Sequence, residues 1–221
     1  SDLFDVSQTG YPYEHEPDTS DVPTPITDCK NPYDVYRDMY LGVVEHAETR
    51  ALYLGYIQEA EDFHRALTVD EDEPDLLYES AMVAERMERF DDAEQRLRRV
   101  IVLQPARAHA YNALGYSFAD RNIHLEEART LIERAHGLAA EDPAILDSMG
   151  WIAFRQGRLD DAVGFLRQAF EKFKDGEIAA HLGEVLWAMG RKDEARIVWQ
   201  TQLKAQPDSD ILKTTMSRLD R

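Results

Sequence analysis

Between Leu146 and Trp199 the chain states one pattern twice: Leu146, Met149-Gly150, Ala153, Ala162, Leu166 and Ala169, then Ala179, Leu182-Gly183, Leu186, Ala195 and Trp199. Gly150 to Gly183 and Ala162 to Ala195 both span 33 residues, so small residues recur in register between large apolar ones. A period of this length, with helical apolar spacing inside each copy, restricts the chain to a stack of helical hairpins. Each hairpin has an apolar face that it can bury only against its neighbours. The period extends upstream, since Ala81, Gly115, Gly150 and Gly183 follow one another at 34, 35 and 33 residues. The extra residue falls in Asn122-Ile123-His124, a turn that tolerates insertion.

The small residues have a physical purpose. Gly115, Gly150 and Gly183 let the first helix of a repeat (helix A) touch its second (helix B), and Ala93, Ala128, Ala162 and Ala195 answer from helix B. Gly157 and Gly190 are placed to end helix A in a left-handed conformation, and Asn122 is the next best residue for that position. Glu88 departs from the rule and is expected to cost a little stability. Pro105, Pro143 and Pro207 begin new repeats, where a missing N–H is harmless. Leu77, Ala81, Ala84, Phe90, Ala93 and Leu97 form the first repeat, and Tyr111, Leu114-Gly115, Phe118, Ala128, Ile132 and Ala135 the second. Residues 75–206 are thus expected to hold four repeats. Residues 207–221, with Ile211, Leu212, Thr215, Met216 and Leu219 on one face, make a further amphipathic helix whose polar outer face caps the stack.

The first third reads differently. Residues 1–30 combine Pro12, Pro17, Pro23 and Pro25 with seven acidic residues and a single Lys30, so they are expected to be an extended leader without regular structure. Phe4, Tyr11 and Tyr13 in that leader suggest a segment that folds back along its own groove or enters a neighbour's, which would give self-association. Residues 31–74 carry helical patterns, beginning at Asn31-Pro32 with Val35, Tyr36, Met39, Tyr40, Val43, Val44 and Ala47. Leu54-Gly55 resembles the Leu-Gly of a helix A and Ala60 to Ala66 the end of a helix B, yet only 5 residues separate Gly55 from Ala60, where the later repeats have about 12. The repeat there is either degenerate or interrupted.

Composition narrows the function. A net charge of -18, from 43 acidic against 25 basic residues, argues against a nucleic-acid surface, which needs clustered Lys and Arg. No run of about 18 apolar residues is present, so no transmembrane segment is expected. The single Cys29 follows Ile26-Thr27-Asp28 and reads as neither a disulfide framework nor a lipid-attachment cysteine. No Gly-rich phosphate loop, nucleophile elbow or paired zinc motif occurs, so no cofactor, metal or catalytic residue is expected.

The pattern resembles the tetratricopeptide repeat, a 34-residue helix-turn-helix with Leu-Gly, Tyr, Ala, Phe and Pro at set offsets. The resemblance covers residues 75 to 207, is weak over about 50 to 74, and implies an all-α, right-handed superhelical solenoid with a C-terminal capping helix. The stretches Tyr111–Arg121, Asp147–Trp151 and Glu177–Trp187 are similar to those of proteobacterial envelope tetratricopeptide proteins. Many of these are outer-membrane lipoproteins facing the periplasm, and one type is an adaptor of a carboxyl-terminal processing protease. What this resemblance implies is a non-catalytic adaptor on the periplasmic side of the envelope, lipid-anchored or cytoplasmic as alternatives, with a protease or its substrate as partner.

In such a superhelix the A helices line the concave surface. The register places Asp75, Tyr78, Met82, Glu85 and Arg86 there, then His109, Asn112, Tyr116 and Asp120, then Asp147, Trp151, Phe154 and Arg155, then Glu184 and Trp187. Met82, Tyr116, Trp151 and Glu184 form one equivalent row, an aromatic and methionine ladder flanked by Arg86 and Arg155 that suits an extended or helical apolar peptide. The competing reading has Tyr116, Trp151 and Trp187 simply packing against neighbouring repeats, and ring exposure discriminates between the two. Trp199 stands at the helix B aromatic position and is expected in the core. His181 and Glu184, three apart on one helix, lack the third ligand that a metal requires. The pairs Asp91-Asp92, Glu126-Glu127 and Asp160-Asp161 suit the positive ends of the B helices. The function expected is therefore a scaffold binding a peptide or protein in a concave groove; the alternative is a structural assembly factor working through its ends and convex face.

Overall fold

A computed structural model of the protein describes residues 47–67 and 72–220. All the described elements are α-helices: α1 (Ala47–Leu67), α2 (Pro74–Arg86), α3 (Phe90–Leu103), α4 (Ala108–Asp120), α5 (Leu125–Leu138), α6 (Pro143–Arg155), α7 (Leu159–Lys172), α8 (Gly176–Ala188), α9 (Lys192–Ala205) and α10 (Asp210–Leu219). The chain divides into two compact units, Ser1–Val69 and Asp70–Arg221. In the first, α1 runs without a break through both Gly55 and Ala60, so the two halves of an expected hairpin lie on one rod. The leader and the helix expected from Asn31 lie outside the described residues.

In the second unit the helices pair as α2/α3, α4/α5, α6/α7 and α8/α9, each helix A against its own helix B and each helix B against the next helix A. Helix α4 also packs on α6, and α6 on α8. Helix α10 packs on α8 and α9, which is the place a fifth helix A would take.

The contacts within each pair explain the small residues. A Cβ added at Gly115 would lie 2.6 Å from Ile132 Cγ1 and one at Gly150 2.5 Å from Leu166 Cγ. At Gly183 it would fall inside the indole of Trp199. All three partners are fully buried, so they have nowhere to retreat. Trp199 is 0% exposed and its Nε1–H donates to the Ala180 carbonyl at 3.4 Å, the core position expected for it.

The turns between A and B helices repeat one device. Glu88, Asn122, Gly157 and Gly190 have φ of 58°, 57°, 76° and 78°. The next residue's N–H then returns to a carbonyl five positions back, as in Arg89 to Ala84, Ile123 to Phe118, Arg158 to Ala153 and Arg191 to Leu186. Glu88 therefore takes the glycine conformation at the steric cost expected of it. The extra residue of the second turn brings a second left-handed position, His124 at φ 45°, which the sequence pattern does not announce.

The helix starts differ by type. Helices α2, α6 and α8 are capped by Glu73, Asp142 and Asp175, whose side chains accept from N–H groups of the first turn. The B helices have no side-chain cap, and their first turns carry Asp91-Asp92, Glu126-Glu127, Asp160-Asp161 and Asp193-Glu194 instead. Three of those acids also pair with an arginine at the cap position, as Arg89–Asp92, Arg158–Asp161 and Arg191–Glu194.

Close approach makes a testable distinction among glycines. Gly183→Ala is expected to lower stability by about 1–3 kcal/mol, because the added methyl must displace a rigid, buried indole. Gly164 sits inside α7 with nothing within 4 Å of an added Cβ. Gly164→Ala is therefore expected to raise stability by about 0.5–1 kcal/mol. Urea denaturation midpoints of the two variants should move in opposite directions.

Candidate functional site

The A helices converge on a polar centre. His181 of α8 is 5% exposed, and its Nδ1–H donates to the Asp147 carboxylate of α6, with Nδ1 2.9 and 3.0 Å from the two oxygens. Its ring stacks on Trp151 with centroids 4.0 Å apart and planes 21° from parallel. Tyr116 of α4 brings its hydroxyl to 3.5 Å from His181 Nε2 and donates to Glu177 Oε1 of α8 at 2.7 Å. One histidine thus ties three successive A helices.

The carboxylates set the protonation of this centre. Burial by itself pushes the His181 pKa down, but the Asp147 carboxylate, assisted by Glu177 and Asp120, outweighs it and the net shift is upward. Burial and then the neighbouring Glu177 carboxylate push the Tyr116 hydroxyl far above its usual value, so it remains a donor. Glu85, on α2, is also held above the usual carboxylate range by burial, against the opposing influence of Ser117 and Arg121.

Around the centre runs a charged rim. Arg155 Nη2 donates to the Asp120 carbonyl at 2.7 Å and lies 3.6 Å from its carboxylate. Arg218 of α10 pairs with Glu184 at 2.5 Å. Between them is a cavity of about 220 Å³, walled by Asp120, Trp151, Arg155, His181 and Glu184 on one side and by Ile211, Thr215 and Arg218 of α10 on the other. The capping helix therefore contributes a wall of this cavity as well as a lid on the core.

The expected groove residues divide by exposure. Arg86, His109 and Asp120 are exposed; Tyr78, Met82, Asn112, Tyr116, Phe154, Arg155, Glu184 and Trp187 are half-buried. Asp147 and Trp151 are buried, at 5% and 4% exposure. Of the two readings left open for Trp151, its burial matches packing against the neighbouring repeat: His181 stacks on it, Phe154 packs with its centroid 5.2 Å away, and the Arg155 guanidinium stands 4.6 Å from it. Trp187 is similarly covered, stacking on Trp199 at 5.7 Å with Lys192 and Arg196 over its ring. Tyr78 carries the Arg107 guanidinium at 4.4 Å, and His109 Nε2 lies 3.7 Å from Asp142.

Periodicity missed His181 as a centre and Glu177, Ile211, Thr215 and Arg218 as site residues. One signal was present. The pairs Asp120–Arg155, Asp147–His181 and Glu184–Arg218 are 35, 34 and 34 residues apart, so acid and base stand one repeat from each other. Among the described residues no group of three His, Cys, Asp or Glu side chains is arranged to hold a metal ion, and no helix is long and apolar enough to cross a membrane.

This geometry is that of stacked helix-turn-helix repeats whose A helices share a polar centre, and family comparison agrees. Models described as tetratricopeptide repeat match residues 78–143 and 153–219. The chain belongs to the tetratricopeptide-repeat family. It is 53% identical over 144 residues to a TPR repeat-containing protein of Pseudomonas aeruginosa, covering 65% of this chain and 24% of that protein. It is 37% identical over 94 residues to the cytochrome c-type biogenesis protein CycH of Bradyrhizobium diazoefficiens, covering 42% of this chain and 26% of that one. The chain thus spans about a quarter of the length of these curated relatives. Among solved structures, a thermophilic TPR protein of Thermus thermophilus matches with TM-score 0.67 at 22% identity, over 77% of this chain and 94% of that one. YrrB, described as a TPR protein with an unusual peptide-binding site, matches with TM-score 0.53 at 20% identity, over 72% and 84%. Repeats of this family generally mediate protein–protein interactions.

The His181 pair predicts a pH dependence of stability. Because the folded pKa is raised, the bound proton stabilises the fold fully below the unfolded imidazole value of about 6.5, and that contribution is lost as pH climbs through the folded value. The denaturation midpoint should fall as the pH is raised above about 6.5, and His181→Gln should remove that component of the slope.

Proposed function

We propose that the protein is a non-catalytic scaffold or adaptor that holds a peptide or protein partner in the concave groove formed by α2, α4, α6 and α8 and walled by α10. The observation that carries this reading is the convergence of four separate helices on one cavity whose rim is charged and whose floor is rigidly cross-tied. A pre-formed concave site with a few fixed polar groups suits recognition, since little ordering is needed when a partner arrives. The fold that YrrB shares, described there with a peptide-binding site, supports the same use of the groove.

Within this reading, the partner is a carboxyl-terminal processing protease or its substrate, and the protein works on the periplasmic side of the envelope. The resemblance of Tyr111–Arg121, Asp147–Trp151 and Glu177–Trp187 to envelope adaptors supports both statements. The half-buried Met82 and exposed His109 are the groove residues to alter, because neither belongs to the Asp147–His181–Tyr116 centre. Met82→Glu with His109→Gln should remove the principal protein that co-purifies with the wild-type chain from its native source, identified by mass spectrometry, while a cooperative thermal transition shows that the variant is folded. Retention of that protein by a folded double variant would move the binding surface to the convex face or the ends. Cell fractionation followed by protease accessibility from outside the inner membrane checks the compartment.

A further inference from the structure

Asp147 decides which proton His181 can lose. Its carboxylate only accepts, so Nδ1 keeps its hydrogen in both charge states of the ring, and the proton gained or lost is the one on Nε2. Nε2 faces the Tyr116 oxygen at 3.5 Å, in a ring that is buried and covered on one face by Trp151. The Tyr116 hydroxyl has a second neighbour, Glu177 Oε1 at 2.7 Å.

The hydrogens balance in only one of the two charge states. In the imidazolium, Nδ1–H donates to Asp147, Nε2–H to the Tyr116 oxygen and the Tyr116 O–H to Glu177, so every donor has an acceptor. In the neutral ring a single O–H remains for two acceptors, Nε2 and Glu177. Burial and then Glu177 itself hold the Tyr116 pKa far above its usual value, so the hydroxyl does not ionise to remove the conflict. Exposure resolves it instead. Glu177 is exposed and can exchange the hydroxyl for water, whereas Tyr116 is the one donor beside Nε2 among the described residues. A buried acceptor left without a donor costs more than an exposed one that turns to water.

The surrounding charges come from four helices. Asp120 of α4, Asp147 of α6 and Glu177 of α8 act on the imidazole, and Arg155 of α6, Glu184 of α8 and Arg218 of α10 line the cavity that His181 borders. Helices α7 and α9 also pack on α8 and contribute none of these groups.

We propose that His181 is a buried proton switch with a surface output. Protonated, it commits the Tyr116 hydroxyl to Glu177 and ties the start of α8 to α4; deprotonated, it takes that hydroxyl for itself and releases Glu177 to water. The released carboxylate borders a separate cleft, shared with Asp175, Asp208 and Ser209 at the starts of α8 and α10, so a proton inside the solenoid alters a surface at its edge. The switch belongs to the repeat frame and does not depend on what the groove holds.

A pH titration of the full chain by NMR tests it, following the His181 ring nitrogens and the Glu177 carboxyl carbon, the latter assigned with Glu177→Gln. Nε2 should lose its proton while Nδ1 keeps one, and the Glu177 carbon should show a step at the same midpoint. In Tyr116→Phe, His181 should still titrate and the Glu177 step should be lost. The field of the imidazolium alone would leave that step in both proteins. A proton lost from Nδ1, no Glu177 step in the wild-type chain, or a step as large in Tyr116→Phe would each overturn the switch. Should Tyr116→Phe not fold, crystal structures of the wild-type chain well below and well above the His181 midpoint decide. The Tyr116 oxygen should stand nearer Nε2 than Glu177 only at the higher pH, and unchanged distances would overturn the proposal.

Discussion

The approach of helix A to helix B at Gly115, Gly150 and Gly183 is the constraint on which the second compact unit depends. Each glycine admits a fully buried side chain of helix B, Ile132, Leu166 or Trp199, into space a methyl group would occupy. That contact holds each hairpin tight enough for the next helix A to follow at one repeat. Only then can Asp147 reach His181, Asp120 reach Arg155 and Glu184 reach Arg218 across consecutive repeats. The cavity lined by Asp120, Trp151, Arg155, His181 and Glu184 is a consequence of intra-hairpin packing.

The polar centre is built from groups that a solenoid core does not need. An apolar stack could be held by Leu, Ile and Ala alone, as the remainder of this core largely is. Burying a histidine and a carboxylate between repeats carries a desolvation cost that their pairing must offset. What the pair provides is a fixed relation among α4, α6 and α8, and a floor on which Trp151 is immobilised. In the proposed groove, rigidity of this kind would lessen the ordering needed when a partner binds.

Much of the fold was legible because its cause is periodic. The period located the hairpins, the small residues located the close contacts, and the left-handed turns fell on the positions expected at Glu88, Asn122, Gly157 and Gly190. Trp199 could be assigned to the core for the same reason. The site was less legible. Register fixes which way a side chain leaves its own helix, but not what the next repeat lays over it, so the sequence left Trp151 open between a groove anchor and a ring packed on its neighbour, as His181 packs on it. Met82, Tyr116, Trp151 and Glu184 are equivalent in sequence and differ in surroundings. Equivalence also said nothing of α10, whose Ile211, Thr215 and Arg218 complete the cavity although the helix read only as a cap. The second left-handed residue, His124, follows from a one-residue insertion whose geometry no pattern specifies.

The most direct measurement of the central claim is site-specific photocrosslinking in the native source, with a photoreactive amino acid placed singly at His109 on the A-helix face and at Val102 and Ile197. The latter two are 65% and 64% exposed on B helices. A groove that holds the partner predicts one dominant crosslinked protein from position 109 and none of it from 102 or 197. The same protein crosslinking from 102 or 197 and not from 109 would contradict the account.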